Sequence, residues 1–206
     1  MTASFLALGD SYTIGEGVTD SDRWPTQLAA RLRAAGVPIA DPRIVARTGW
    51  TTDELLDAVR AESLTGEFDL VTLLAGVNDQ FRGYGVERYR QSFESLVGSV
   101  RQFAKLPARL IVLSIPDWSV TPFAAGRDRK AIGREIDAFN RVGRAIAAAH
   151  GARFLDITPS SRRASNNAAL LAEDGLHPSA AMYSIWVDHL VPLSLDALDT
   201  HSLEKR

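Results

Sequence analysis

Cysteine is absent from the 206 residues, so a nucleophile in this chain must be oxygen or nitrogen. Three side chains stand out by type and spacing: Ser11 within Gly9-Asp10-Ser11-Tyr12, and Asp174 three residues ahead of His177. A serine hydroxyl is a weak nucleophile at neutral pH and needs a base to take its proton during attack. An imidazole titrates close to neutrality, so it can accept that proton and later hand it to a leaving group. On one turn of chain, the Asp174 carboxylate can accept the second imidazole N–H, fixing the tautomer and stabilising the imidazolium. Pro178 restricts the His177 backbone and is placed to begin the next helix.

Each element also has a plainer reading. Gly9-Asp10-Ser11 alone is more readily an ordinary strand-to-helix turn in which Asp10 caps backbone N–H groups. Gly76-Val77-Asn78-Asp79 alone is equally a turn after a buried strand, with Asp79 structural. His150, His189 and His201 are read as surface or structural histidines. The neighbours Asp188 and His189 fall in a helical segment, where adjacent side chains diverge.

The elements that must position these groups follow from hydrophobic period. Short apolar runs at Ser4 to Leu8, Ile44 to Ala46, Leu70 to Ala75, Leu110 to Ile115 and Phe154 to Ile157 read as strands. Two of them are nearly continuous in apolar residues, as expected of strands covered on both faces. Tyr89, Phe93, Leu96, Val100 and Phe103, and then Ile132, Ile136, Phe139, Val142 and Ile146, recur at helical spacing. Thr51 followed by Glu54 forms a capping-box pattern, so a helix is expected just after Gly49-Trp50. The segment from Ser160 to Asn167 is read as a loop or a helix entry. Alternating strands and helices imply an α/β fold with a mostly parallel sheet. Ligands bind at the carboxyl edge of such sheets, and Ser11, Gly49 and Asn78 each follow a strand.

Gly9-Asp10-Ser11-Tyr12, the isolated Gly49, Gly76-Val77-Asn78-Asp79 and Asp174-Gly175-Leu176-His177-Pro178, in this order, resemble the SGNH (GDSL-type) hydrolases. Tyr12 departs from the leucine of the family signature. The resemblance implies a single-domain three-layer α/β/α sandwich over residues 1–206, with a mostly parallel five-stranded, flavodoxin-like sheet. It implies a serine-dependent carboxylic ester hydrolase without a cofactor or metal, acting on small acyl or acetyl esters. Ser11, Asp174 and His177 are then catalytic. The oxyanion hole is assigned to the Ser11 and Gly49 backbone N–H groups and the Asn78 amide.

Other functional classes fit less well. A metal-dependent phosphoesterase could draw on Asp10, Asn78, Asp79, Asp174 and His177, but only one histidine lies in a suggestive setting and Ser11 would have no purpose. No Gly-x-Ser-x-Gly elbow of an ordinary α/β-hydrolase occurs, and the glycines near Ser11 do not match a phosphate-binding loop. A formal net charge of -2 gives little attraction to nucleic acid, so the expected partner is a small-molecule ester. With neither a signal-peptide pattern nor an 18-residue apolar run, a cytoplasmic, soluble protein is expected. The aromatics of Pro116 to Phe123, following the fourth strand, are candidates for lining an acyl or leaving-group pocket.

Overall fold

A computed structural model describes residues 1–62 and 64–199; His201 lies outside the described residues. Five strands form one sheet: β1 (Phe5–Gly9), β2 (Arg43–Ala46), β3 (Leu70–Leu74), β4 (Leu110–Leu113) and β5 (Arg153–Leu155). Their order is β2-β1-β3-β4-β5 and every pairing is parallel, from Gly9 opposite Ala46 and Leu74 to Leu113 opposite Leu155. The inner strands β1, β3 and β4 are buried at every position, which explains their unbroken apolar runs. The last strand is shorter than its apolar run, because Ile157 instead precedes the turn α7 (Thr158–Ser161). Residues 162–166 continue as a 3-10 turn where the sequence pointed to a loop or helix entry.

Helix α2 (Trp24–Ala34) packs against α8 (Ala180–Leu198), while α3 (Thr52–Ala61), α5 (Val86–Arg101) and α6 (Arg129–Ala149) pack in a row. Right-handed crossovers explain the two groups. The β1-to-β2 connection runs opposite to those that step outward through β3, β4 and β5, so its helix covers the other face. The three-layer α/β/α sandwich follows. At the point of reversal, the carboxyl ends of β1 and β3 part their connections and leave a crevice. Two short helices start there: α1 (Ser11–Ile14) directly after β1 and α4 (Val77–Phe81) directly after β3.

Local chemistry fixes the ends of these elements. Thr51 and Glu54 form the capping box reciprocally, and α3 begins at Thr52. Asp10 caps α1 by accepting the Tyr12 N–H at 3.0 Å. Helix α8 is capped by Ser179 and starts at Ala180, so Pro178 stands before the cap rather than inside the first turn. Pro178 instead forms an antiparallel bridge with Leu171. No helix among the described residues is long and apolar enough to cross a membrane.

Candidate active site

Ser11 is the first residue of α1, and its side chain is held at the sheet edge because Asp10 closes the helix start beneath it. His177 comes from the far end of the chain, on a loop tied at both ends. Ala172 N–H donates to the His177 carbonyl at 2.8 Å and Ser179 N–H donates to the Leu170 carbonyl at 3.0 Å. Between them, Asp174 Oδ1 accepts the N–H groups of Leu176 and His177, both at 2.9 Å. Asp174 Oδ2 lies 2.5 Å from His177 Nδ1. Partial burial pushes the Asp174 carboxyl upward, but the His177 ring and the two amides outweigh it and hold it below the usual carboxylate range.

Ser11, His177, Gly49 and Asn78 line one cleft of about 160 Å³ together with Tyr12, Thr48, Val77, Phe81, Trp118, Phe123 and Leu176. No hydrogen bond joins Ser11 to His177 among the described residues. Tyr12 sits edge-on to the His177 ring with centroids 5.6 Å apart, and also to Trp186 at 6.4 Å. The residue that departs from the family signature therefore contacts the histidine.

Gly49 has a φ of +85°, in the region that favours glycine, and its carbonyl accepts from Arg82 Nη2 at 2.7 Å. Arg82 Nη1 in turn reaches Glu54 Oε1 at 3.2 Å, so the capping box also steadies the Gly49 loop. Asn78 lines the cleft and donates one amide hydrogen to the Trp50 carbonyl at 2.9 Å. Among the described residues, the Ser11 and Gly49 N–H groups donate to no protein acceptor.

The neighbouring carboxylates have structural duties. Asp79 accepts from Thr52 N at 2.9 Å and Thr52 Oγ1 at 2.6 Å, tying α4 to α3. Burial, with smaller opposing hydrogen bonds, pushes its carboxyl up. Asp10 is fully buried, and burial pushes its carboxyl up to about 7. Among the described residues, no three His, Asp or Glu side chains gather in a way that could hold a metal. Asp188 pairs with Arg31, His189 is exposed and His150 Nε2 meets Glu94 Oε1 at 2.6 Å, so none of these belongs to the cleft.

Sequence reasoning missed Phe81 and Arg82. Phe81 stands three residues beyond Asn78 on the same short helix, a spacing that places both on one face and could have drawn it in. Arg82 gives no local signal.

The strand order makes the fold a flavodoxin-like α/β/α sandwich with this cleft at the carboxyl edge of its sheet. A sequence model of the GDSL-like Lipase/Acylhydrolase family matches residues 7–185, and the chain belongs to that family of carboxylic ester hydrolases. No functionally curated protein matches it. Among solved structures, the psychrotrophic esterase EstA from Pseudoalteromonas sp. is similar at 19% identity and TM-score 0.73, covering 96% of this chain and 100% of its own. The lipase/acylhydrolase from Enterococcus faecalis is 22% identical with TM-score 0.72, over 93% of this chain and 94% of its own. An acetyl xylan esterase, Axe2 from Geobacillus stearothermophilus, is 22% identical with TM-score 0.69, over 96% and 94%.

Proposed function

We propose that the protein hydrolyses small acyl esters through an acyl-serine intermediate, with Ser11, His177 and Asp174 as the catalytic groups. The observation that carries this reading is the 2.5 Å contact between Asp174 Oδ2 and His177 Nδ1 in the cleft that Ser11 also lines. With Nδ1–H donated to the carboxylate, Nε2 is free to act as base. Ser11 Oγ bonds to the ester carbonyl carbon as its proton passes to His177 Nε2. The carbon–oxygen bond to the alcohol then breaks, and the alcohol leaves with that proton. Water, deprotonated by the same nitrogen, adds to the acyl-serine, and the carboxylic acid departs as Ser11 recovers its hydrogen.

Charge on the carbonyl oxygen is met by the N–H groups of Ser11 and Gly49 and by the Asn78 amide. A single such donor is worth roughly 2.7–4 kcal/mol of barrier. The cycle calls for no cofactor. Axe2, by its name, removes acetyl groups from xylan, and short acyl esters of this kind are the first substrates to assay.

Fluorophosphonate labelling with peptide mapping tests the assignment. Stoichiometric adduct on Ser11, lost in Ser11→Ala and unaffected by EDTA, is the expected result. An adduct elsewhere, or activity abolished by EDTA, overturns it.

A further inference from the structure

Three aromatic rings drawn from distant parts of the chain line the cleft together. Phe81 ends α4, while Trp118 and Phe123 lie on the two 3-10 turns after β4. Their centroids are 5.6 Å apart for Phe81 and Trp118, 6.0 Å for Trp118 and Phe123, and 6.1 Å for Phe81 and Phe123. They are not equally anchored. Trp118 is only 3% exposed, and its Nε1–H donates to Gln80 Oε1 at 2.8 Å, while Gln80 Nε2 donates to Glu135 at 2.7 Å. Phe81 and Phe123 are 45% and 41% exposed. These two outer rings rest on each other, on Trp118 and on Arg127.

The Arg127 guanidinium carbon lies 5.1 Å from the Phe81 centroid and 5.4 Å from those of Trp118 and Phe123. All three distances are within cation–π range. Arg127 is itself exposed and, among the described residues, joins no ion pair, so the protein groups its guanidinium faces are these rings. The one polar atom of the wall, Trp118 Nε1, is already donated inward. The ring surfaces that line the cleft are therefore apolar, and suit an aliphatic or single-ring group.

We infer that Phe81, Trp118 and Phe123, clamped by Arg127, form the acyl-binding wall and set an upper size on the acyl group. The inference rests on the Ser11 mechanism for the direction in which the acyl group points. A cleft of about 160 Å³ compares with the apolar cavity of roughly 150 Å³ that takes one benzene molecule. The preferred acyl groups are then short chains of up to about six carbons, or a benzoyl group, by that same comparison. Longer chains must part the Phe81 and Phe123 rings, and Arg127 resists this.

The test measures kcat/KM for p-nitrophenyl esters from acetate to decanoate, beside a series of acetates with lengthening alkyl alcohols. Wild type, Phe123→Ala and Arg127→Ala are compared, with thermal melts to verify folding. The wild type should fall at least about tenfold between butanoate and decanoate, as expected when methylenes no longer fit a pocket. Both variants should raise the decanoate-to-butanoate ratio by about tenfold or more, while the relative order of the alcohol series is kept. An unchanged ratio in both variants, or a change confined to the alcohol series, overturns the wall. These ratios do not depend on which atom attacks. Labelling of all three proteins with a small phosphonate is read separately: no adduct at Ser11 counts against the mechanism, not the wall.

Discussion

Asp174 holds His177 twice: Oδ2 lies 2.5 Å from the ring Nδ1, while Oδ1 accepts the residue's own backbone N–H at 2.9 Å. One carboxylate thus sets both where the histidine backbone sits and which ring nitrogen carries hydrogen. Replacing Asp174 by Asn keeps an oxygen for the amides and removes the charge from the ring. Activity of Asp174→Asn is expected to drop on the order of 10³–10⁴-fold in kcat, while its melting temperature moves little. A variant with kcat within tenfold of wild type would sink the orienting role.

Asn78 gives one hydrogen to the Trp50 carbonyl, and its proposed second duty is to the developing oxyanion. Asn78→Ala should then lose roughly 10²–10³-fold in kcat with KM little changed. If KM absorbs the loss instead, Asn78 holds ground-state substrate rather than the transition state.

Gly76 caps α4 at a φ of +121°, and a Cβ there would stand 2.6 Å from Tyr89 Cε2 and 3.0 Å from Ile115 Cδ1. Gly76→Ala combines backbone strain with overpacking, and should cost about 2 kcal/mol or more in a denaturant titration. Because Asn78 rides on this helix, kcat should fall as well. Wild-type stability in the variant would show that the turn can relax at no cost.

Asp10 provides a pH signature. Its carboxyl is raised by burial to about 7, and one oxygen has no partner among the described residues, whereas in the unfolded chain it titrates near ~3.9. Between those values the folded protein holds a proton that the unfolded chain has released. The stability it contributes is thus complete below about pH 4 and is lost as pH rises through about 7, at up to about 1.4 kcal/mol per pH unit. Melting temperatures from pH 4 to 8 should show Asp10→Asn gaining on wild type toward the alkaline end. Parallel curves would mean that Asp10 is charged in the folded protein.

Strands were the most legible part of the sequence because β1, β3 and β4 are covered on both faces, which demands unbroken apolar runs. Helices α5 and α6 declared themselves by period, although Phe103 lies beyond the last turn of α5. Helix α2 went unread. Its buried face is Trp24, Leu28, Ala29 and Leu32, and Pro25 in the first turn marks its start, but alanines and arginines dilute the period. In the cleft, Ser11, Gly49, Asn78 and the Asp174 and His177 pair stood in local motifs. Phe81, Arg82 and Arg127 did not, since their partners lie on other elements and only the folded sheet brings them together.

Tyr12 fills the place where the family signature has leucine, and its ring meets His177 on one side and Trp186 of α8 on the other. With a carboxylate at Nδ1 and the Tyr12 ring packed against it, the imidazole cannot swivel without breaking contact on both sides. Its one easy freedom is the coming and going of a proton at Nε2. The same chain of rings ties the histidine's orientation to Trp186, an indole buried in the core, so the packing of α8 reaches the catalytic edge.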